Sequence, residues 1–497
     1  MERNPETISF LDTVLQDVQT AELTQQIKLT DGMPDIGRVL AAWGQVILRG
    51  KEWQEGEVSA NGGVLVWVLY APEDGSAERC MDSWIPFQMK WDLPEEIPEG
   101  ILRIQSQLRF VDGRSVSPRK IMVRCGISAR AEGVIPAEGE ISRPVGEMKN
   151  VEFLENTYPL RIPKEYGEKA FPLDEELSFS DSAPQLEKLI YCRMEPRITD
   201  ARVLGDKLAF RGTGNLHTLY RSEEGQLQSW DFSVAFSQIA ELEQEYGGDA
   251  QADVIPAVTN LEAEMDDEGH IRLKCGLTAQ YRITDRHMIC VVEDAYCPGW
   301  DISLRKEVLE LPVILEQRRE NIFGEQMVPA EGSRAVDVTF LPDFPREKRQ
   351  EQGIELRYPG NIQTLYYGSD GALQGSNVRW EGQQKKIADE ESILTAVPLS
   401  GEAQMLMGSG QLQVKAELPV DIITTTRQKI PMVTAAQLGE RKKTDAERPT
   451  LILRRAGESR LWDIAKGCDS TVEEIQLANG IQGEPAPGQM LLIPLHG

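Results

Sequence analysis

The stretch LYAPEDG (69–75) returns twice along this 497-residue chain, in forms that keep the leucine, the tyrosine and the final glycine. The later copies are LYRSEEG (219–225) and LYYGSDG (365–371), which lie 150 and then 146 residues further on. Each copy ends an apolar run and carries an acidic residue followed by glycine, a pair that favours a tight turn between antiparallel strands. The chain therefore predicts three hairpins in three repeated units.

The strand that returns after each turn supports this prediction. It carries an apolar and an aromatic residue two positions apart, at Ile85 and Phe87, at Val234 and Phe236, and at Val378 and Trp380. Side chains two positions apart lie on one face of a strand, so each pair is expected to face a core. The three repeated tyrosines are expected to be core residues whose hydroxyl groups find a hydrogen-bond partner.

Two further positions recur in the first two units. Pro34 and Pro184 each precede the repeated tyrosine by 36 residues. Apolar residues follow each proline at helical spacing, which predicts a short helix at the start of the unit. Cys125 and Cys275 lie 150 residues apart, and the third unit has Ala416 at the matching place. We therefore expect these cysteines to be small buried apolar residues.

The repeats predict a mainly β fold of tandem, sandwich-like β-rich units with short leading helices, followed by a small module. The spacing of Ile8, Leu11, Leu15 and Val18 predicts an amphipathic N-terminal helix that either packs on the first repeat or docks a partner. The predicted divisions are a helical arm at 1–30, repeat 1 at 31–136, a connector at 137–183, repeat 2 at 184–287, a connector at 288–335, a diverged repeat 3 at 336–430, a linker at 431–448 and the module at 449–497.

The composition restricts the function classes. A formal net charge of −27 opposes binding to phosphate backbones and anionic lipid headgroups, so no nucleic-acid partner is expected. The longest apolar run, VLVWVLY (64–70), is too short to span a bilayer, so no direct membrane insertion is expected. The first residues lack a secretory pattern, and seven scattered cysteines do not form a disulfide framework. We expect a reduced, cytoplasmic protein.

The pattern changes in the last fifty residues. The segment 450–494 begins and ends with strand-like runs, TLIL and MLLIP, and has two helical runs between them. Ser459 is predicted to cap the first helix. A capping box of Ser470 and Glu473 is predicted to start the second helix, which Gly480 ends. The order strand, helix, helix, strand is therefore predicted for the module.

This segment resembles a LysM module, a small glycan-recognition domain of cell-wall proteins. The run 457–459 stands where the family usually has Gly-Asp-Thr, and the Pro-Gly-Gln run 487–489 also matches family positions. The resemblance implies a groove between the loop after the first strand and the loop before the second. Its implied binding residues are Glu458, Ser459, Arg460, Trp462, Asn479, Gly480 and Ile481. Trp462 also lies on an apolar helix face, which favours a core position.

The whole arrangement resembles the spore-coat-associated (SPOCS) repeat family of anaerobic endospore formers. The runs MPDIGRVL (33–40) and CGISA (125–129), with their counterparts in the second unit, carry this resemblance. It implies a non-enzymatic morphogenetic protein in the mother-cell cytosol, at the forespore surface and spore coat. It also implies that the LysM module binds the coat morphogenetic ATPase of the basement layer, while the repeats support encasement of the forespore.

Two other functions remain open from the sequence. The LysM resemblance allows binding of peptidoglycan or N-acetylglucosamine, although a chain that is not exported would not meet a cell wall. A wall hydrolase would need a pair of catalytic carboxylates, whose separation in space cannot be read from a sequence. The repeated positions are packing and turn residues, so we predict no catalytic residue and no enzyme.

Motifs for cofactors and metals are sparse. The run RGTGN (211–215) lacks the lysine and the spacing of a phosphate-binding loop. The four histidines are far apart, and Cys290 and Cys297 have no second pair to complete a zinc site. The acidic run EMDDEGH (264–270) does not fit EF-hand spacing and is predicted to be a solvated hairpin turn. We therefore expect no cofactor and no metal.

Overall fold

The computed structural model describes residues 2–94, 97–145, 150–180, 183–328, 332–350, 353–386, 391–407, 412–442 and 449–495. Strands account for 79% of the chain and helices for 4%, so the predicted mainly β class is confirmed. Within these ranges, no helix has the length and apolar character needed to cross a membrane. All seven cysteines are free thiols.

The first repeat forms two three-stranded antiparallel sheets. Its strands are β1 (Glu2–Lys28), β2 (Ile36–Gln54), β3 (Glu57–Pro72), β4 (Arg79–Asp92), β5 (Ile101–Ser117) and β6 (Lys120–Val145). One sheet has the order β1-β6-β5 and the other the order β2-β3-β4. Val66 and Trp91 of one sheet and Ile104 and Ile127 of the other are buried in one hydrophobic cluster. The core of the repeat therefore receives side chains from both sheets.

The second repeat follows the same plan. Its strands are β7 (Glu152–Leu177), β8 (Leu186–Ser222), β9 (Leu227–Tyr246), β10 (Gln251–Met265) and β11 (Ile271–Tyr296). Its sheets have the orders β10-β11-β7 and β8-β9. Its hydrophobic cluster extends to Trp43 and Trp67 of the first repeat and to Leu365 of the third. The repeats therefore share apolar contacts.

The third repeat keeps the plan but divides its strands further. They are β12 (Trp300–Val328), β13 (Gly332–Pro342), β14 (Arg346–Gln350), β15 (Gly353–Gly368), β16 (Leu373–Lys386), β17 (Ile393–Pro398), β18 (Glu402–Met407) and β19 (Leu412–Arg441). One sheet has the order β12-β19-β17 with β18 also paired to β19, and the other has the order β13-β15-β14 with β16 paired to β15. Tyr358 and Leu418 are fully buried in its cluster.

The three predicted hairpins are confirmed. The pairs β3–β4, β8–β9 and β15–β16 are antiparallel. The turn glycines Gly75, Gly225 and Gly371 have φ angles of +74°, +79° and +76°. A Cβ at these positions would meet nothing within 4 Å, so glycine is required there for its backbone conformation and not for space.

The repeated tyrosines account for the 36-residue spacing of the prolines. Tyr70 and Tyr220 are fully buried. The Tyr70 hydroxyl donates a hydrogen bond to the Pro34 carbonyl at 3.1 Å, and the Tyr220 hydroxyl donates to the Pro184 carbonyl at 3.3 Å. Each bond fixes the start of its repeat against the hairpin. Tyr366 of the third repeat is also buried, and its hydroxyl donates to the Gln374 side-chain oxygen at 3.5 Å. The prediction of core tyrosines with a hydrogen-bonded tip is therefore confirmed for all three.

The predicted short leading helices and the N-terminal helical arm are wrong. The residues after Pro34 form β2, those after Pro184 form β8, and residues 2–28 form β1. The pairing of β1 with β6 has an irregularity near Thr13, and the pairing of β2 with β3 has irregularities near Ile36 and Val39. On β1, Ile8 and Leu11 are three residues apart and lie on opposite faces, where they are buried in two different clusters, while Val18 is 40% exposed. The helix-like spacing of these residues therefore comes from a strand that buries apolar side chains on both faces.

The segments predicted as connectors and as the N-terminal arm form strands that pack together. The segment 137–183 contains the end of β6 and all of β7, and the segment 288–335 contains the end of β11 and all of β12. Beyond the residues that pair with β5, β10, β17 and β18, the pairs β1–β6, β7–β11 and β12–β19 continue as three two-stranded ribbons. Apolar side chains from all three ribbons pack in one cluster, which includes Phe10, Ile141, Ile162, Val291, Leu311 and Ile430.

The charged composition of these segments does not prevent strand formation. Near the end of β6, Glu138 and Glu140 are exposed while Ile141 is buried. Successive strand residues point to opposite faces, so one face of a ribbon can be solvated while the other packs. The proline, glycine and glutamate content that suggested connectors is therefore compatible with strands that bury only one face.

Equivalent residues make equivalent contacts between repeats. Arg38 of the first repeat donates to the Leu373 carbonyl of the third at 2.9 Å, and Arg334 of the third donates to the Leu227 carbonyl of the second at 2.8 Å. Leu227 and Leu373 are 146 residues apart, the spacing of the last two repeated tyrosines. Arg221 of the second repeat donates to the carbonyl of residue 78 in the first at 2.9 Å. Each repeat therefore contacts the other two.

A buried charge cluster joins the first two repeats. Arg103 pairs with Asp253 at 2.8 Å, and Arg282 approaches Glu132 at 3.5 Å, with each pair 150 residues apart. Tyr166 donates a hydrogen bond to the Glu132 carboxylate at 2.7 Å. Burial alone would raise the pKa of Glu132, but three neighbouring arginines lower it to about 2. The two repeats are thus held by complementary charges at equivalent positions.

Candidate binding surface of the C-terminal module

The C-terminal module, residues 449–495, consists of β20 (Leu451–Arg455), α1 (Leu461–Cys468), α2 (Val472–Asn479) and β21 (Met490–Pro494). β20 and β21 pair antiparallel, so the structure has the predicted order strand, helix, helix, strand. Leu461, Ile464, Ile475 and Leu491 are buried in a cluster of module residues that also includes Tyr296 of β11. This core holds both helices on one face of the two-stranded sheet.

The predicted helix caps are displaced by one residue. Arg460, not Ser459, occupies the N-cap position of α1, and it makes no side-chain capping bond. The Glu484 carboxylate instead accepts the Leu461 N–H at 2.6 Å. A carboxylate from a distant loop satisfies the free amide at this helix start, which local sequence rules cannot anticipate.

The second helix is capped by its neighbour in the sequence. Thr471 is the N-cap of α2 and accepts the Glu474 N–H at 3.1 Å, so the predicted box of Ser470 and Glu473 is wrong by one position. Ser470 is instead fully buried. Gly480 ends the helix with a φ of +62°, as predicted.

Some of the predicted groove residues are exposed to solvent, and others pack in the module. Glu458, Ser459, Arg460 and Gly480 are exposed, while Ile481 is partly buried against the module core. Arg460 lies 3.5 Å from Asp463 on α1. The loop 458–460 is thus accessible to a partner, whereas the side chain at 481 contributes to packing.

Asn479 has a structural role. Its side-chain amide donates to the carbonyls of Ile475 and Leu492, both at 2.7 Å, and its Oδ1 accepts the Leu492 N–H at 2.7 Å. The end of α2 is therefore fixed to the edge of β21. The LysM resemblance implied that Asn479 binds a ligand, but its side-chain oxygen and nitrogen are both engaged in these bonds within the module.

Trp462 faces the repeats and not the groove. Its side chain is buried, and its indole N–H donates to the Asp294 carboxylate at 3.1 Å. The indole also packs edge-on against Tyr296, with ring centroids 4.8 Å apart. Asp294 and Tyr296 lie at the end of β11, in the second repeat. The expected buried position is confirmed, and the tryptophan is absent from the accessible surface of the predicted groove.

Asp294 is the centre of the contact between the module and the repeats. Its carboxylate pairs with Lys466 of α1 at 2.6 Å and with Lys306 of β12 at 2.9 Å. Burial alone would raise the pKa of Asp294, but hydrogen bonds from these lysines and from Trp462 lower it to about 2. The carboxylate therefore stays ionised over the physiological pH range.

Two further contacts complete this docking. The Tyr296 hydroxyl donates to the Ser470 carbonyl at 2.9 Å, and Lys442 pairs with Asp469. The sequence did not indicate this interface because its partners are separated by up to 174 residues. The α1 side of the module is consequently covered by the ends of the ribbons.

The opposite side of the module exposes apolar side chains. Leu451 and Leu453 of β20 are 49% and 61% exposed, and Met490 and Leu492 of β21 are 50% and 39% exposed. We call these four residues the outer sheet face. The sequence predicted both strands, but it did not show which of their residues would remain in solvent.

One group of side chains elsewhere could hold a metal. In the described part of the chain, ligand atoms of Glu176, Asp266 and His270 lie within 4.8 Å of one another. His270 Nδ1 is 3.4 Å from the Glu176 carboxylate and 3.8 Å from the Asp266 carboxylate. Asp266 and His270 flank the turn between β10 and β11, where EMDDEGH was predicted to form a hairpin turn.

Comparison with known proteins gives one line of support for the family. Residues 185–266 match the family model described as SipL, SPOCS domain. This segment covers about one sixth of the chain and contains β8, β9 and β10, including the second hairpin. No curated protein and no solved structure matches the chain. The second repeat is therefore similar to a SPOCS domain, which indicates a role related to sporulation and the spore coat.

Proposed function

We propose that this protein is a non-enzymatic spore coat assembly factor of the SipL type. In this proposal its C-terminal module is a LysM domain that binds the morphogenetic ATPase of the coat basement layer. The SPOCS match over residues 185–266 carries the proposal, because it connects the repeated hairpin unit to the spore coat. The other two repeats are then SPOCS-like sandwiches related to the matched one by the same hairpin.

The arrangement of the repeats supports a scaffold role. The three units contact one another, two of these contacts come from arginines at equivalent positions, and the long ribbons share an apolar cluster. The module is docked by Asp294 and Tyr296 of the second repeat. A partner bound to the module is then held at a fixed position relative to the repeats. We place this scaffold in the mother-cell cytoplasm, at the forespore surface.

Two observations favour a protein ligand over a glycan for the module. The Asn479 side-chain amide is hydrogen-bonded to the backbone of α2 and β21. Trp462, the module's aromatic ring, is turned toward Asp294 and Tyr296. Protein interfaces need an apolar centre with a polar rim, and the module exposes both apolar residues and the polar loop 458–460.

Direct binding tests the proposal. The full chain is immobilised, and its affinity for the purified coat ATPase is measured by biolayer interferometry. We expect saturable binding, and we expect Glu458→Lys to weaken it because residue 458 lies in the exposed loop. Glu473→Lys is the matched control, since Glu473 is also exposed but lies on α2.

The possible results distinguish a failure of the proposed function from a wrong assignment of the loop 458–460 to the interface. Absence of binding by the unmodified chain would overturn the proposed function. Equal binding by the unmodified chain and Glu458→Lys would remove the loop from the interface while leaving the function intact. A clearing band from the purified chain in zymography on cell-wall substrate would replace the assembly role with a hydrolase.

A further inference from the structure

The outer sheet face is unusual for a small two-stranded sheet. The inner face carries Leu491 and Ile493, which are fully buried beneath the helices. A strand with one solvated face normally alternates apolar and polar residues, yet β20 and β21 place apolar side chains on both faces. Exposed apolar surface of this kind marks an interaction site more often than a neutral surface.

The strand register makes this face continuous. Leu453 lies directly opposite Leu492, and Leu451 lies opposite Pro494. Met490 lies opposite Arg455, at the end of the sheet that leads into the loop 458–460. Directly opposite side chains in an antiparallel pair are in contact distance, so the face is one apolar row with an arginine at one end.

The described part of the chain leaves this row exposed. The exposures of its four residues, from 39% to 61%, include shielding by the described repeats. The docking contacts of the module come from α1 and the α1–α2 junction, through Trp462, Lys466 and Ser470. The outer sheet face is therefore left open by the docked arrangement.

The charge of the face restricts its occupant. β20 and β21 carry no acidic residue, and of their two arginines Arg455 lies on this face, whereas Arg454 lies on the helix side and contacts the Cys468 thiol, in a chain with a formal net charge of −27. A partner that presents apolar side chains bordered by carboxylates complements this surface. A second copy of the chain is disfavoured because two bodies of charge −27 repel each other.

The free edge of β21 restricts how a partner can bind. The backbone of Leu492 is bonded to the Asn479 side chain, through both its N–H and its carbonyl. A partner therefore cannot add a strand to β21 at this residue without displacing Asn479. At β21, contact through side chains on the sheet face is therefore favoured over strand addition.

We propose that the outer sheet face is the apolar centre of the module's protein interface, with Arg455 and the loop 458–460 at its rim. The partner surface it fits is an apolar patch bordered by carboxylates on a folded protein. This inference rests on the proposed function, because it assigns the contact surface for the same partner. Residues at the buried centre of an interface account for most of its affinity, while the rim excludes water.

The test compares three charge substitutions in the full chain. Leu453→Asp and Leu492→Asp each place a carboxylate in the apolar row, and we expect each to weaken binding of the purified coat ATPase by about tenfold or more. Leu477→Asp is the control, because Leu477 is 75% exposed on α2 and lies outside the sheet. Circular dichroism and the melting temperature establish that each variant stays folded.

Each outcome is decisive. If the unmodified chain does not bind the ATPase, the proposed function fails, and the surface assignment fails with it. If the unmodified chain binds and Leu453→Asp binds equally well, the function stands and the sheet face is excluded. If Leu477→Asp is as damaging as Leu453→Asp, the interface is not confined to this face. A dimer in sedimentation that Leu453→Asp dissociates would assign the face to a second copy instead.

Discussion

His217 forms an ionic bridge between the second and third repeats that makes stability depend on pH. Its Nε2 lies 2.6 Å from Asp337 of β13, and its Nδ1 lies 2.5 Å from Asp231 of β9. Asp337 is almost completely buried, whereas Asp231 is mostly exposed. Burial alone would lower the pKa of His217, but the two carboxylates raise it to about 10. The imidazole is therefore charged in the folded protein at neutral pH.

The direction of the pH dependence follows from that shift. The folded-state pKa lies above the usual value of 6.5, so the stabilisation is complete below pH 6.5 and is lost as pH rises through 10. A difference between 6.5 and about 10 corresponds to an upper bound of roughly 5 kcal/mol. Because Asp231 is exposed and screened by solvent, we expect about 3 kcal/mol.

Chemical denaturation of the unmodified chain and of His217→Gln at several pH values measures this contribution. Other groups also titrate at high pH, and subtracting the variant removes their effect. We expect the variant to be less stable by about 3 kcal/mol at pH 6 and the difference to shrink toward zero by pH 11. A stability difference that is constant from pH 6 to 11, or that grows with pH, would refute the charged bridge.

Three other changes test the packing of the repeats by denaturant unfolding. Tyr220→Phe loses the hydrogen bond to the Pro184 carbonyl, and we expect a loss of about 1 kcal/mol, with no loss arguing against that bond. Glu132→Gln leaves three buried arginines undercompensated, so we expect a loss of about 3–5 kcal/mol, and a neutral result would contradict the buried cluster. Gly62→Ala places a Cβ 2.1 Å from the Ile47 carbonyl oxygen, and we expect the free energy of unfolding to fall by more than about 2 kcal/mol. Unchanged stability would contradict the close approach of β2 and β3 at this position.

The hairpins could be predicted from the sequence because their causes are local. Gly75, Gly225 and Gly371 adopt positive φ in the turns, the apolar run before each turn is buried, and the strand after each turn alternates between core and solvent. Comparison of the first two repeats also points to a contact between the proline and the tyrosine, which neither repeat indicates by itself. The constant distance from proline to tyrosine reflects the bond from the Tyr70 hydroxyl to the Pro34 carbonyl, and its counterpart in the second repeat.

The ribbons could not be predicted because their pairing is distant in sequence. β1 pairs with β6 from Glu2 opposite Val145 to Lys28 opposite Lys120. A segment whose hydrogen-bond partner lies more than ninety residues away carries no local sign of that partner. Ile8 and Leu11, whose spacing suggested a helix, lie on opposite faces of β1 and are buried in two different clusters. Tertiary pairing therefore overrode the local pattern, here and at the start of β2.

The module shows the same division between local and distant causes. Its element order followed from strand-like runs, and Gly480 ends α2 as predicted. The docking of Trp462 on Asp294 and the cap that Glu484 provides both depend on residues remote in sequence. Which face of β20 remains exposed depends on where the helices and the repeats pack, so it required the structure.

Competition between the coat ATPase and purified cell-wall sacculi tests whether the C-terminal module binds a protein or a glycan. The ATPase is bound to the immobilised full chain, and sacculi are added in increasing amounts while the bound ATPase is measured. We expect ATPase binding that sacculi do not displace, because the module presents its outer sheet face and the loop 458–460 to a protein. Displacement by sacculi, or tight binding of sacculi with no binding of the ATPase, would contradict this expectation and return the module to glycan recognition.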